Sequence, residues 1–307
     1  MVPASMRRIL LLAVLGLAAL GAASALAGPR STAGGGPLQV VAAENFWGSI
    51  AAQLGGDRVH VTSVISNPAT DPHDYEPTAV DARTLAGAQL VIVNGIGYDP
   101  WAPKLLAGNP VSGRLVLTVG DVVGIEPGGN PHRWYSPANV QQVIGAIVAD
   151  YKRLDPKDGA YFDRQRASFE TTGLAVYKAE IATIRKRYAG VPVGASESIF
   201  APLAQALGLR LVTPASFLEA ISEGTEPTAK DVSTIDAQIA RRQIKVWVFN
   251  SQNSTPDVQR LTGAARAKGI PVTTITETLT PATATFQAWQ VAQLRALRAA
   301  LARATGR

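Results

Sequence analysis

Two of the three histidines in this chain lie in closely similar sequence settings. His73 stands in the stretch DPHDYEP and His132 in the stretch NPHRWYSP. Each is preceded by proline, follows a predicted strand, and leads into a helix that begins with a proline. Because imidazole is the commonest metal ligand among side chains, this placement predicts that both histidines belong to one metal site. The third, His60, lies inside a predicted strand and is interpreted as structural.

Two carboxylates in the second half of the chain occupy comparable positions. Glu197 and Glu277 each follow an apolar strand directly, where an unpaired buried carboxylate would be costly. A divalent cation held by His73, His132, Glu197 and Glu277 would give the histidines of the first half and the carboxylates of the second half a common partner. Taken singly, each residue has a simpler explanation, as a hydrogen-bonded loop histidine or as a carboxylate favoured at a helix start.

The ligand types narrow the choice of metal without fixing it. Two neutral imidazoles and two carboxylates balance a divalent ion and suit Zn²⁺, Mn²⁺ or Fe²⁺. If each carboxylate binds through one oxygen, the site is four-coordinate and favours zinc. If the carboxylates bind through both oxygens, the coordination number rises and manganese is favoured. The sequence leaves both possibilities open.

The elements that would position these residues alternate between strand and helix. Continuous apolar strands separated by helices indicate an α/β fold in which central parallel sheets are covered on both faces. The alternation is interrupted at 155–189, where Asp155-Pro156 opens a helical pattern and Gly190 ends it. We predict two βα lobes joined by one long rigid helix, with two helices meeting at Gly173 as the alternative.

The chain of 307 residues is long enough for two lobes. The predicted domains are an N-terminal lobe at 28–154, a connecting helix at 155–189 and a C-terminal lobe at 190–307. The formal charge of +6 is scattered, so nucleic-acid binding is not expected. We expect a monomer.

Residues 1–27 have the pattern of a secretory signal peptide. Met6-Arg7-Arg8 precedes an apolar run and then a small-residue stretch, which predicts cleavage after Ala27. The alternative is an uncleaved anchor, for which the apolar run is short. The chain contains no cysteine, so disulfides and a lipoprotein anchor are not expected. The sequence therefore predicts a protein that diffuses freely in a periplasm-like space or is secreted.

Four stretches of the sequence resemble the metal-binding substrate-binding proteins of zinc and manganese ABC importers, known as solute-binding protein family 9 or cluster A-I. The similarity runs from about Val40 to the C-terminus. Its most specific stretches are DPHDYEPT around His73, LVIVNGIGYDPW from Leu90, NPH with Trp134-Tyr135, and EGTEP from Glu223.

The resemblance implies a set of metal ligands. It implies histidine ligands at His73 and His132, a His or Glu ligand at the position of Glu197, and a fourth ligand, usually Asp, where Glu277 stands. Many zinc-specific members carry a histidine-rich loop before the second histidine, and the region 121–129 contains no histidine. Many members are lipoproteins, whereas this chain lacks the cysteine.

The function implied is capture of a divalent metal outside the cytoplasmic membrane and its delivery to an ABC permease, with Zn²⁺ or Mn²⁺ as transported ligand rather than catalytic cofactor. The rival hypothesis is a secreted zinc-dependent hydrolase, since two histidines and a carboxylate with an open position also form catalytic zinc sites. Four protein ligands leave no evident place for a reactive water. A third hypothesis is an organic-solute binder or adhesin with an incidental metal.

Overall fold

The computed structural model describes residues 36–70 and 75–307. The predicted signal peptide and His73 lie outside these ranges. Over the ranges described, no helix combines the length and the apolar character needed to cross a membrane. The strands of these residues form two four-stranded parallel sheets, which confirms the predicted α/β class.

The first sheet forms the centre of the N-terminal lobe. Its strands are β1 (Leu38–Glu44), β2 (Val59–Ile65), β3 (Leu90–Val93) and β4 (Leu115–Thr118). The lobe's helices are α1 (Asn45–Gly55), α2 (Ala79–Ala86), α3 (Trp101–Gly108), α4 (Val119–Val123) and α5 (Pro137–Leu154). The strand order is β2-β1-β3-β4.

Both faces of this sheet are buried, which explains why residues 40–43 of β1 and the whole of β3 are apolar without alternation. Along β1, Val40 and Ala42 pack into the main core, whereas Val41 and Ala43 pack into a separate cluster on the opposite face. Side chains on successive strand residues point to opposite faces, so a strand covered on both sides must be apolar at every position.

The connection between the lobes differs from the single α-helix predicted over 155–189. A 3-10 turn at Pro156–Asp158 precedes α6 (Gly159–Ser168), a π-helical turn follows at Phe169–Gly173, and α7 (Ala175–Tyr188) completes the segment. Helical turns thus run through most of the segment, and the wide turn ends at Gly173, the residue at which the alternative places a bend. The rigidity of this connection stays a prediction.

The π-helical turn has a local cause. The Leu174 amide donates to the Phe169 carbonyl, five residues earlier, at 2.8 Å. The Phe169 ring covers Gly173, where a Cβ atom would lie only 3.0 Å from the ring. On either side of the turn, α6 packs against α1 and α5 of the first lobe, and α7 packs against the second lobe.

The second sheet repeats the topology of the first. Its order is β6-β5-β7-β8, formed by β5 (Pro192–Ala195), β6 (Arg210–Leu211), β7 (Val246–Asn250) and β8 (Val272–Ile275). Its helices are α8 (Ala201–Leu207), α9 (Ala215–Ser222), α10 (Ala229–Ala240), α11 (Pro256–Ala267) and α12 (Phe286–Thr305).

Each sheet has a point at which the chain reverses its direction of strand addition. In the first lobe this point lies between β1 and β3, and in the second between β5 and β7. Open α/β sheets bind ligands beyond the carboxyl ends of strands at such a point. The loops that follow the strands at these two carboxyl edges are therefore placed to form a site.

The two lobes share one hydrophobic core along their interface. A continuous cluster of buried side chains runs from Phe46 of α1 through Trp134 and Tyr135 to Trp289 of α12. Polar contacts reinforce it, since Gln53 and Gln287 exchange amide hydrogen bonds and Ser49 Oγ accepts from the Phe286 amide. The carboxyl edges of the two sheets are held against each other by this packing.

Candidate metal centre

His132 lies in the loop before α5, with its ring fully buried. Its Nδ1 atom is 3.0 Å from Asn130 Oδ1, and the same oxygen accepts the backbone N–H of His132. The Asn130 amide nitrogen donates to the Ser198 carbonyl at 2.7 Å, which fixes the orientation of the Asn130 side chain. This network assigns the proton to Nδ1, so Nε2 carries the lone pair that a metal ligand needs.

Glu197 and Glu277 meet His132 from the opposite lobe. Both carboxylates are buried, two residues beyond the ends of β5 and β8. His132 Nε2 lies 3.4 Å from Glu197 Oε1 and 3.5 Å from Glu277 Oε2. Ligand atoms of these three residues all lie within 4.8 Å of one another. The structure therefore brings together three of the four residues that the sequence analysis selected.

Two further side chains hold the carboxylates, and the sequence analysis missed both. Asn250 Nδ2 donates to Glu197 Oε2 at 2.5 Å and to Glu277 Oε1 at 2.7 Å. Tyr98, from the first lobe, donates its hydroxyl hydrogen to Glu277 Oε2 at 2.9 Å. Asn250 ends β7, a position that topology alone could have indicated, because β7 lies at the point of strand reversal.

Aromatic rings enclose the site on the side of the first lobe. The Trp134 ring stacks on Phe46 with centroids 4.0 Å apart and lies 5.2 Å from the His132 ring. The Tyr135 hydroxyl donates to the Thr276 carbonyl at 2.8 Å, across the interface. Trp134 and Tyr135 thus shield the site on this side. Tyr75 packs against Trp101 and is only partly buried.

Burial changes the ionisation of groups around the centre. The pKa of the Tyr98 hydroxyl is raised well above its ordinary value by burial and by the negative charge of Glu277, so Tyr98 remains a neutral donor. Glu44, the last residue of β1, has its pKa raised by burial and by the neighbouring Asp99. The pKa of Asp99 is also raised by burial, although the hydrogen bonds that it accepts from the Gly95 and Asn94 backbone amides oppose the shift.

His73 lies outside the described residues, but the chain before it reaches the site. The Gln252 amide nitrogen donates to the Pro68 carbonyl and to Thr278 Oγ1, one residue beyond Glu277. Asn45 links the same region, since it donates to the Ser66 carbonyl and accepts from the Leu279 amide. His60, by contrast, is exposed near the start of β2, at the opposite edge of the sheet.

Two similar α/β lobes with a buried donor cluster between their sheet edges define the class of two-lobed substrate-binding proteins. The chain belongs to the family described as zinc-uptake complex component A, periplasmic, whose model matches residues 40–300. This match confirms the family resemblance seen in the sequence.

Individual proteins also resemble this chain, at low sequence identity. A putative metal-binding protein of Treponema pallidum is 24% identical over 57% of this chain and 62% of its own length. The metal ABC transporter substrate-binding lipoprotein FimA of Streptococcus parasanguinis is 24% identical over 79% of this chain and 80% of its own. The Mn-bound periplasmic metal binding protein of Candidatus Liberibacter asiaticus shares the fold, with a TM-score of 0.70, 20% identity, and coverage of 85% and 98%.

Proposed function

We propose that this protein captures Zn²⁺ or Mn²⁺ outside the cytoplasmic membrane, with His73, His132, Glu197 and Glu277 as ligands, and delivers it to an ABC permease. Membership of the metal-uptake family supports substrate binding rather than catalysis. The observation that carries the proposal is the convergence of His132, Glu197 and Glu277 within 4.8 Å at the interface of the lobes.

Charge balance favours a divalent cation at this position. Two buried carboxylates are costly unless a cation or several donors compensate them. A divalent ion would neutralise Glu197 and Glu277, and the neutral imidazole of His132 would complete the set without adding charge. The preceding loop, fixed next to Thr278 through Gln252, leads towards His73 and supports it as the fourth ligand.

The division of the ligands between lobes couples metal binding to lobe closure. His132 belongs to the first lobe, and both glutamates belong to the second. A permease that draws the lobes apart would separate the nitrogen ligand from the oxygen ligands and release the ion. If the helical connection through α6 and α7 is rigid, as we propose, the opening needed is small.

The protein is proposed to act as a freely diffusing monomer in the periplasm or after secretion. The basic, apolar and small-residue pattern of residues 1–27 supports export. Family membership supports the extracytoplasmic location.

Metal titration of the mature chain tests the proposal. The metal-free protein is titrated with Zn²⁺ and Mn²⁺ while thermal stability and bound metal are measured. A ligand present at 100 times its Kd stabilises the fold by about 2.7 kcal/mol. His132→Ala is expected to weaken binding by about 100-fold or more. His60→Ala, an exposed histidine outside the site, is the matched control and is expected to bind as the parent does.

Two results would contradict the proposal. One is a His132→Ala variant that binds both metals as tightly as the His60→Ala control. The other is a parent protein whose melting temperature does not respond to either metal. X-ray absorption also tests the hydrolase hypothesis, because a catalytic zinc retains a bound water at an open position whereas a transported ion is enclosed by protein ligands.

A further inference from the structure

Asn250 connects the two carboxylates of the candidate centre through a single amide group. Its Nδ2 atom lies 2.5 Å from Glu197 Oε2 and 2.7 Å from Glu277 Oε1. A primary amide nitrogen carries two hydrogens, so it can donate one to each carboxylate. One oxygen of each glutamate is thereby engaged by the protein.

The orientation of this amide is fixed by its other contacts. Asn250 Oδ1 accepts the backbone N–H of Gln252 at 3.1 Å, and the Asn250 backbone N–H donates to Ser196 Oγ at 2.9 Å. A flipped amide would direct Nδ2 at the Gln252 N–H and Oδ1 at two carboxylates. Both new contacts would be repulsive, so the network assigns Nδ2 to the glutamates.

The oxygens that do not bind Asn250 are the ones directed at His132. Glu197 Oε1 and Glu277 Oε2 lie 3.4 and 3.5 Å from His132 Nε2. Zinc bonds of about 2.0–2.1 Å at tetrahedral angles place neighbouring ligand atoms roughly 3.3 Å apart. The spacing between donors therefore matches one oxygen from each carboxylate at a tetrahedral ion.

We propose that Asn250 is a specificity-determining residue that holds Glu197 and Glu277 in monodentate coordination and so makes the centre selective for zinc over manganese. The inference rests on the proposed function and adds the identity of the ion. A carboxylate that turned to bring both oxygens onto the ion would have to move the oxygen that Asn250 holds, which would weaken its hydrogen bond to the amide. Manganese, which favours more oxygen ligands, would lose most from this restriction.

The coordination of the parent protein is the first test. X-ray absorption of the zinc-loaded mature chain is expected to show four nitrogen or oxygen ligands at zinc distances. Five or six ligands, or carboxylates bound through both oxygens, would overturn the inference. That result would leave the proposed function intact, since the metal would still be bound. Failure to bind either ion would instead count against the proposed function.

Selectivity in variants is the second test. The ratio of the manganese Kd to the zinc Kd is measured by competition with a chelator. Asn250→Ala is expected to lower this ratio about tenfold or more, because both glutamates become free to bind through two oxygens. Asn250→Ser, which fills more of the space and cannot reach both carboxylates, serves as a second variant if the alanine variant does not fold.

Tyr98→Phe is the matched control. It removes the hydrogen bond to Glu277 Oε2, the oxygen directed at His132, and leaves Asn250 in place. It is expected to weaken zinc and manganese binding alike and to keep the Kd ratio within about threefold of the parent's. An equal change of ratio in the Asn250 and Tyr98 variants, or an unchanged ratio in the Asn250 variants, would overturn the inference.

Discussion

The two lobes have the same strand order, and the equivalent strands β1 and β5 both lead to a buried glutamate. Glu44 ends β1, and Glu197 lies two residues beyond β5. Glu197 accepts an amide hydrogen from Asn250 and faces His132. Burial, and then the neighbouring carboxyl group of Asp99, raise the pKa of Glu44 and favour its neutral form. Equivalent positions therefore acquire different chemistry from their neighbours.

The equivalent strands β3 and β7 show the same contrast with asparagine. Asn250, at the end of β7, holds the carboxylates of the centre. Asn94, directly after β3, accepts from the Trp47 indole at 3.0 Å and donates to the Pro131 carbonyl at 3.0 Å. The second lobe thus provides the two buried carboxylates of the candidate centre, and the first lobe provides a scaffold that positions His132.

The largest difference between the lobes is expected from matched substitutions of the two glutamates. Glu197→Gln removes a proposed ligand charge and should weaken zinc binding by about 100-fold or more. Glu44→Gln changes a group outside the ligand cluster and should change the zinc Kd by less than about threefold. Isothermal titration of both variants measures the contrast. Equal losses of affinity would show that Glu44 also acts at the metal.

Asn94→Ala should mainly affect stability. The substitution leaves the buried Trp47 indole N–H without its acceptor, which is expected to lower the free energy of unfolding by about 1–3 kcal/mol. Loss of the contact to Pro131 should weaken metal binding through His132, by less than about tenfold. Urea unfolding and metal titration separate the two effects. An affinity loss as large as that of Glu197→Gln would argue against a scaffold role.

Glu44 should also make the stability of the metal-free protein depend on pH. Its pKa in the fold is raised above the ordinary value of 4.5, so the unfolded chain releases this proton at lower pH than the folded chain does. Its contribution to stability is complete below about pH 4.5 and is lost as the pH rises towards the folded pKa, by about 1.4 kcal/mol per pH unit.

Glu44→Gln removes that dependence. The variant is expected to match the parent near pH 4.5 and to exceed it in unfolding free energy at neutral pH, because the amide does not ionise. Urea denaturation across this range provides the measurement. Parallel pH profiles for the parent and the variant would show that Glu44 ionises alike in the folded and unfolded states.

The smallest effect is expected at the contact between α1 and α12. Gln287→Ala removes the amide exchange with Gln53, a partly buried pair that joins the lobes away from the metal. We expect a loss of about 0.5–1.5 kcal/mol in unfolding free energy and an unchanged metal Kd. A clear change in metal affinity would mean that this contact controls lobe closure.

Sequence periodicity predicted the architecture well, because parallel strands buried on both faces must be apolar throughout. It did not indicate the π-helical turn within 155–189, because the buried helical face continues across that turn. That turn depends on the packing of the Phe169 ring over Gly173. Periodicity describes which face of a helix is buried and does not record a single widened turn.

The candidate site was predictable where charge or metal chemistry marked a residue. His132, Glu197 and Glu277 were selected as metal-ligand types at strand ends. The structure places them together, although His132 does not follow a strand directly, because α4 lies between it and β4. Asn250 and Tyr98 carry no such mark, since amides and phenols occur widely in structural roles. Their importance follows from the order of the strands in the sheet, which is set by the tertiary structure.

The Tyr135 hydroxyl, which donates to the Thr276 carbonyl, joins the histidine loop of one lobe to the residue preceding Glu277 in the other. Because such contacts join the two lobes that hold the proposed ligands, ion affinity and lobe separation are coupled. By linkage, any factor by which a bound ion favours the closed form is the factor by which enforced opening weakens the ion. A thousandfold drop in affinity on docking would require about 4 kcal/mol of differential stabilisation. Cross-lobe hydrogen bonds such as this one therefore add to the free energy needed to separate the lobes and release the ion.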